Sequence, residues 1–276
     1  MGKIAIIASS KDPAGINIRN QLIDLAGFEK IDETLDDNYV FQFHKIQNRD
    51  IKLYLTNSEL VHSESIDKKI DSDILVFASK HRSKENTPSF AVHAIGNWNE
   101  ANLGGQPKKL CPSSAILLKN LFLELNENAK NTGYEITMEA THHGPYVEKP
   151  AVFVEIGSTE IEWNDTENGK IIATTIINSL NNQNKDYKIA VGIGGPHYCN
   201  NFNKVSLRTD IAFSHICPKY QLENLDEELI KQSIQKTKEK VDFIVLDWKS
   251  LGKEKQSVVD MIRNLNMEFR RTDQLD

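Results

Sequence analysis

The chain has 276 residues, 39% of them hydrophobic and 26% charged, which is enough to bury a full-sized core in one large α/β domain or two small ones. With a mean hydropathy of −0.46 and no apolar run near membrane-spanning length, an integral membrane protein is not expected. A formal net charge of −6 argues against a protein that coats duplex nucleic acid, because such proteins are usually basic.

The opening MGKIAIIASS holds too short an apolar run for a signal peptide and reads as a buried strand. It also lacks the Ser or Thr that a myristoylation signal wants at position six. Three scattered cysteines, Cys111, Cys199 and Cys217, do not make a disulfide framework, so a reducing cytoplasm is the expected compartment. The acidity is uneven. Between Ala78 and Tyr146 seven Lys/Arg face six acids, and between Ala190 and Tyr220 three face one, so a polyanion could be gripped locally.

After the first strand, Lys3 to Ser9, the pair Asp12-Pro13 reads as an N-cap and first helical residue. An apolar stripe from Ile16 to Ala26 follows, closed by Gly27. Strands are expected at Tyr39–His44, Ile51–Thr56, Asp73–Ala78 and Ser89–Ile95. A long helix should then run from Cys111-Pro112-Ser113 to Lys130. Tyr134–Ala140, Ala151–Ile156, Lys188–Ile193, Ile211–Ile216 and Asp242–Leu246 read as further strands. Thr166–Leu180, Leu225–Glu239 and Lys253–Leu265 read as helices, and the asparagine-rich patch at 181–184 as a polar loop. Strands alternating with helices imply a three-layer α/β/α fold. Hairpin-like stretches make its central sheet mixed. No linker or repeat divides the chain, which reads as a single α/β domain over residues 1–276.

Six of eight histidines sit in glycine-, proline- or cysteine-marked loops or at strand ends: His81, His93, His142, His143, His197 and His215. His44 and His62 lie in polar surroundings and read as surface residues. A lone histidine is more often structural than a ligand. The repetition at strand ends changes that, because open α/β sheets keep their ligands there. In extended chain His142 and His143 would point to opposite sides, one into the site and one supporting it. Glu155 lies inside the apolar strand Val152–Ile156 and must be paired, metal-bound or neutral. The alternatives for it are a helix cap near Ser158-Thr159 or a salt bridge to Lys149. Glu139 is a second strand-end carboxylate. Gly192-Ile193-Gly194-Gly195-Pro196-His197 is a strand, a glycine turn and a helix start, able to offer backbone amides. It fits neither the Rossmann nor the Walker spacing. No serine-nucleophile elbow and no paired-cysteine zinc motif occurs; Cys217 could be one ligand at most.

The ordered set Lys80-His81-Arg82-Ser83, Ala91-Val92-His93, Gly96-Asn97-Trp98, Glu139-Ala140-Thr141-His142-His143-Gly144-Pro145, Glu155-Ile156-Gly157-Ser158-Thr159-Glu160, Gly194-Gly195-Pro196-His197-Tyr198 and His215-Ile216-Cys217-Pro218 resembles the archaeal and plant type of D-aminoacyl-tRNA deacylase. It runs over nearly the whole chain. The resemblance implies a phosphorylase/hydrolase-like α/β/α fold, zinc as cofactor, and hydrolysis of the ester between a D-amino acid and the terminal ribose of tRNA.

On chemical grounds, the expected catalytic set is His142, His143, His197, Glu155, His81 and His93, with zinc held by His142, His197 and Glu155. Gly194 and Gly195 are expected to donate to the oxyanion or ribose, and Lys80, Arg82, Lys84, Lys204, Arg208 and Lys219 to meet phosphates of the tRNA acceptor end. The expected molecule is a cytoplasmic monomer binding neither DNA nor membrane. Two other readings remain open: a zinc amidohydrolase or peptidase acting on a small substrate, and a non-catalytic module that binds RNA ends or nucleotides.

Overall fold

The computed structural model describes residues 2–181 and 186–275, so most of the asparagine patch lies outside the described residues. The β-branched run of β1 (Gly2–Ser9) is buried along most of its length, as suits a central parallel strand. It pairs in parallel with β4 (Arg49–Thr56) on one side and β5 (Ile74–His81) on the other. Beyond β4 come the antiparallel β3 (Asn38–Phe43) and β2 (Glu29–Leu35). Beyond β5 come β8 (Ala151–Gly157), parallel to it, then the antiparallel β6 (Ser89–Ala94) and finally β7 (Glu135–Met138). The order β2-β3-β4-β1-β5-β8-β6-β7 makes a large mixed sheet, as expected.

Of the helices covering one face, the first and the one opening at Thr166 begin where the sequence places them. Asp12 caps α1 (Pro13–Gln21), accepting a hydrogen bond from the Gly15 amide, with Pro13 in the first turn. Gly27, at φ 78°, stops the turn that follows. Ser114 caps α2 (Ala115–Asn128), three residues later than expected. A Thr159–Glu162 capping box opens α3 (Glu160–Asn164), which leads into α4 (Thr166–Asn181). The opposite face is different. Its cluster around Tyr54, Phe77 and Phe153 is closed by the segments carrying Leu60, Ile66 and Val147, and no α-helix among the described residues contributes to it.

The carboxyl-terminal strands form a second sheet of their own. β10 (Ile211–Cys217), β9 (Lys188–Ile193), β11 (Phe243–Leu246) and β12 (Phe269–Arg271) are all parallel. Helices α6 (Glu227–Gln235) and α7 (Lys255–Asn264) bury Leu229, Ile230, Val258 and Ile262 against one face. On the other face, α5 (Asn200–Arg208) contributes Phe202 and Val205 to a core that continues into the helical face of the large sheet. The segment after β7 stitches the two sheets. Glu139 N–H donates to Val92 of β6, Ala140 N–H to His197, and Thr141 N–H to Ile216 of β10.

Candidate active site at the seam of the two sheets

That seam gathers the chemistry. His81 ends β5, Glu155 lies opposite Ser79 on β8, and His93 is one residue from the end of β6. Glu139, His142 and His143 come from the stitching segment, and His197 follows the glycine turn after β9. His81 Nδ1 lies 3.4 Å from both Glu139 Oε1 and Glu155 Oε2, and His93 Nε2 is 3.7 Å from Glu155. His142 Nε2 and His197 Nε2 stand 3.7 and 3.6 Å from Glu139 Oε2. Ring centroids of His142 are 4.2, 4.3 and 4.7 Å from those of His93, His143 and His197.

Every histidine expected to be catalytic thus falls in one cluster, but two details differ from the expectation. The first concerns the metal set. Glu155 turns away from His142 and His197 toward His81 and His93, and the carboxylate beside His142 and His197 is Glu139. Glu155 neither caps a helix nor meets Lys149, whose ammonium donates to Ile70. The second concerns the histidine pair. His143 has φ +45°, so the two rings do not alternate; both line the same cavity. No cysteine joins these groups among the described residues, and His44 and His62 are exposed as expected.

Hydrogen bonds fix the tautomers. A carbonyl oxygen only accepts, so the neutral His142 ring must carry its proton on Nδ1, bonded to Ala140 O at 2.8 Å. His143 does the same to Gly144 O at 2.6 Å. Their Nε2 lone pairs are then free. His197 Nδ1 is held by Tyr220 Oη at 3.1 Å. Burial, reinforced by neighbouring imidazoles, pushes His142 well below its ordinary value and His143 down to about 4. Burial also opposes charge on His81 and His93, but there Glu155 and Glu139 win. His81 rises to about 9, and His93 rises too. Burial would raise Glu155, yet its two histidine partners hold it well below the usual carboxylate range. The site therefore holds neutral and cationic imidazoles side by side at neutral pH.

Glu139 is the anomaly. Its carboxylate is buried and neither oxygen has a hydrogen-bond donor. Facing it at 3.7 Å is the Nε2 lone pair of His142. Acceptor against acceptor in a buried place is costly unless a cation or proton stands between them. One carboxylate oxygen and two imidazole nitrogens, on rings anchored through Nδ1, are a donor set suited to zinc with a position left open.

The cluster floors a cavity of about 410 Å³ that also touches Lys80 and Arg82. Lys84 lies in an adjoining cavity that shares Arg82. Other expected contacts lie elsewhere. Lys204 and Arg208 line a separate cavity with Asp247 and Asp273, and Lys219 is exposed outside both. Gly194 and Gly195 cannot donate to an oxyanion. Their amides are already bonded to Cys217 O at 2.8 Å and Ser250 Oγ at 2.6 Å.

A family model described as D-aminoacyl-tRNA deacylase matches residues 68–270. The chain belongs to that family. It is 38% identical to the D-aminoacyl-tRNA deacylase of Thermococcus kodakarensis, covering 96% of this chain and 98% of that one. It is 37% identical to the one from Methanosarcina barkeri, over 96% and 88%. A crystal structure of a conserved protein of unknown function shares the fold at 31% identity and a TM-score of 0.89, covering 99% of this chain and 96% of that one.

Proposed function

We propose that this chain hydrolyses the ester of D-aminoacyl-tRNA, releasing the free D-amino acid and tRNA. Membership of the deacylase family supports the reaction, and the observation that carries the site is the buried Glu139 carboxylate, without a hydrogen-bond donor, set among His81, His142 and His197. The small-substrate amidohydrolase and the non-catalytic module are not favoured. The three unpaired cysteines suit a reducing cytoplasm. Among the described residues no helix is long and apolar enough to cross a membrane.

In this reading Glu139, His142 and His197 would hold zinc. Bound there, the ion would polarise the ester carbonyl and acidify a water. His143, neutral and with Nε2 free, accepts the proton of the attacking water. His81, still protonated at neutral pH, gives a proton to the ribose oxygen as the carbon–oxygen bond breaks. Glu155 keeps His81 charged and oriented.

The test is hydrolysis of matched D- and L-aminoacyl-tRNA, with metal analysis of the purified protein. Preference for the D-ester is expected, and alanine at His142 or His197 should cost at least ~10²-fold in rate with the fold intact. Exhaustive chelation should abolish activity and zinc restore it. Equal rates on both enantiomers would remove the chirality reading, and full activity after chelation would remove the metal.

A further inference from the structure

The walls of the cavity over the histidine cluster do not carry the same charge. The sheet order β4-β1-β5 fixes the sequence of groups around its mouth. Glu59 follows β4, Lys11 follows β1, and Lys80 and Arg82 stand at and just beyond the end of β5. Lys80 and Arg82 lie beside the Trp163 ring, at 5.8 and 5.3 Å from its centroid. Neither forms an ion pair among those the structure shows. Arg82 also lines the adjoining cavity of about 570 Å³, which carries Lys84. Positive charge and open space therefore continue outward on this side, while the one acid beside it in the cavity lining, Asp12, is taken up by the Gly15 and Lys80 amides and the Ser79 hydroxyl.

The opposite wall is built differently. Glu59 is exposed, and its carboxylate engages no other side chain among the described residues. Beside it are Leu60, Val61 and Leu103, and Leu103 keeps 50% of its surface exposed, unusual for a leucine in a cavity wall. This wall is fixed relative to the histidines. Leu103 O accepts from the Gly144 amide at 2.9 Å, directly after His143. Val61 O packs so closely on Gly104 and Gly144 that a Cβ on either would approach it to 1.7 or 2.6 Å. Glu64 ties the same stretch down by accepting from the Gly105 and Tyr146 amides at 2.7 Å each.

Resting on the deacylase reading above, we infer that the cavity orients the substrate by charge: Glu59 receives the α-ammonium of the aminoacyl group, Leu60, Val61 and Leu103 form the wall its side chain meets, and the tRNA 3′ end leaves over Lys80 and Arg82. An aminoacyl ester is itself polar in this sense, with an ammonium two bonds from the carbonyl carbon on one side and phosphates on the other. The reverse placement would set phosphate against Glu59 and ammonium against Arg82. The arrangement also bears on chirality. With carbonyl and ammonium both fixed, the two enantiomers exchange the positions of side chain and Cα hydrogen, so a rigid apolar wall meets only one of them.

The experiment compares D-aminoacyl-tRNA with the α-hydroxyacyl-tRNA of the same configuration, in which hydroxyl replaces ammonium. Glu59→Gln keeps shape at an exposed position and removes only the charge. It should raise KM about tenfold for the amino ester, less than twofold for the hydroxy ester, and narrow the D-over-L preference, with kcat little changed. Arg82→Gln should raise KM for both esters alike and flatten the salt dependence by about one phosphate contact. Equal effects of Glu59→Gln on the two esters, or none on either, would overturn the orientation, as would an Arg82→Gln effect confined to the amino ester. A wild-type protein that cleaves neither ester would instead overturn the deacylase reading itself.

Discussion

At the scale of single residues, the two strand-borne glutamates divide the work, and their surroundings decide which does what. Glu155 is enclosed by two imidazoles and holds positive charge in place. Glu139 touches His81 as well, but its second oxygen faces the His142 ring nitrogen, which has no proton to give. Both glutamates were visible in the sequence as carboxylates that need a partner. Their assignment was not, because it depends on which way each side chain leaves its strand. Glu139 could have been ranked first on one signal: it lies three residues before His142, in a segment that turns sharply after an apolar strand. A consequence follows for Glu155→Gln. Burial lowers the His81 imidazole, and without Glu155 only Glu139 is left to oppose it, so its pKa should fall from about 9 toward neutrality. A neutral His81 cannot protonate the leaving ribose oxygen, so kcat should drop by ~10²-fold with KM little changed. A proton NMR titration of His81 alongside kcat measures both effects; an unchanged His81 titration would separate Glu155 from this role.

At the scale of elements, most strands and helices were legible from apolar runs, caps and glycine stops, while their grouping into sheets was not. β2 escaped because Glu29–Leu35 is a charged edge strand in which only Ile31 and Leu35 carry the inward pattern. β12 is three residues long, too short to show a period. The division into a mixed sheet and a separate parallel one depends on which strands pair at long range, and strand–helix alternation looks the same in both. Lys119 shows how an element contact hides in composition. Read from sequence it belongs to a local basic surplus facing a polyanion, but it is 1% exposed. From α2 its ammonium donates to the carbonyls of Ser206, Thr209 and Ile211 at 2.9, 2.6 and 2.8 Å, closing the end of α5 and joining it to β10. Lys119→Met should leave those carbonyls without their donor and destabilise the fold by about 3 kcal/mol. Urea denaturation gives the value; a loss under 1 kcal/mol would mean that other donors replace the ammonium.

At the scale of the whole molecule, the histidines that make the site also set the response of stability to pH, and they act in opposite directions. Burial holds His143 and His215 at about 4, and His142 well below its ordinary value. Between about 6.5 and 4 the unfolded chain binds protons at these positions and the folded chain does not, so stability falls as pH falls. His81 and His93 are raised by their glutamates. Their contribution is fully present below about 6.5 and is lost as pH rises, through about 9 for His81. Taken together, the metal-free protein should be most stable near pH 6.5 and weaken on both sides. His215 separates these terms cleanly. It is fully buried on β10, bonded to Thr141 at 3.3 Å, and outside the main cavity. Its replacement by Gln should lower stability near pH 7 through lost packing, yet flatten the acid limb by about one proton, roughly 1.4 kcal/mol per pH unit. The alkaline limb, which belongs to His81 and His93, should keep its slope. Urea midpoints at pH 4.5, 6.5 and 9.5 for both proteins decide the matter, and an acid limb as steep in the variant as in the wild type would show that His215 is not neutral in the folded state.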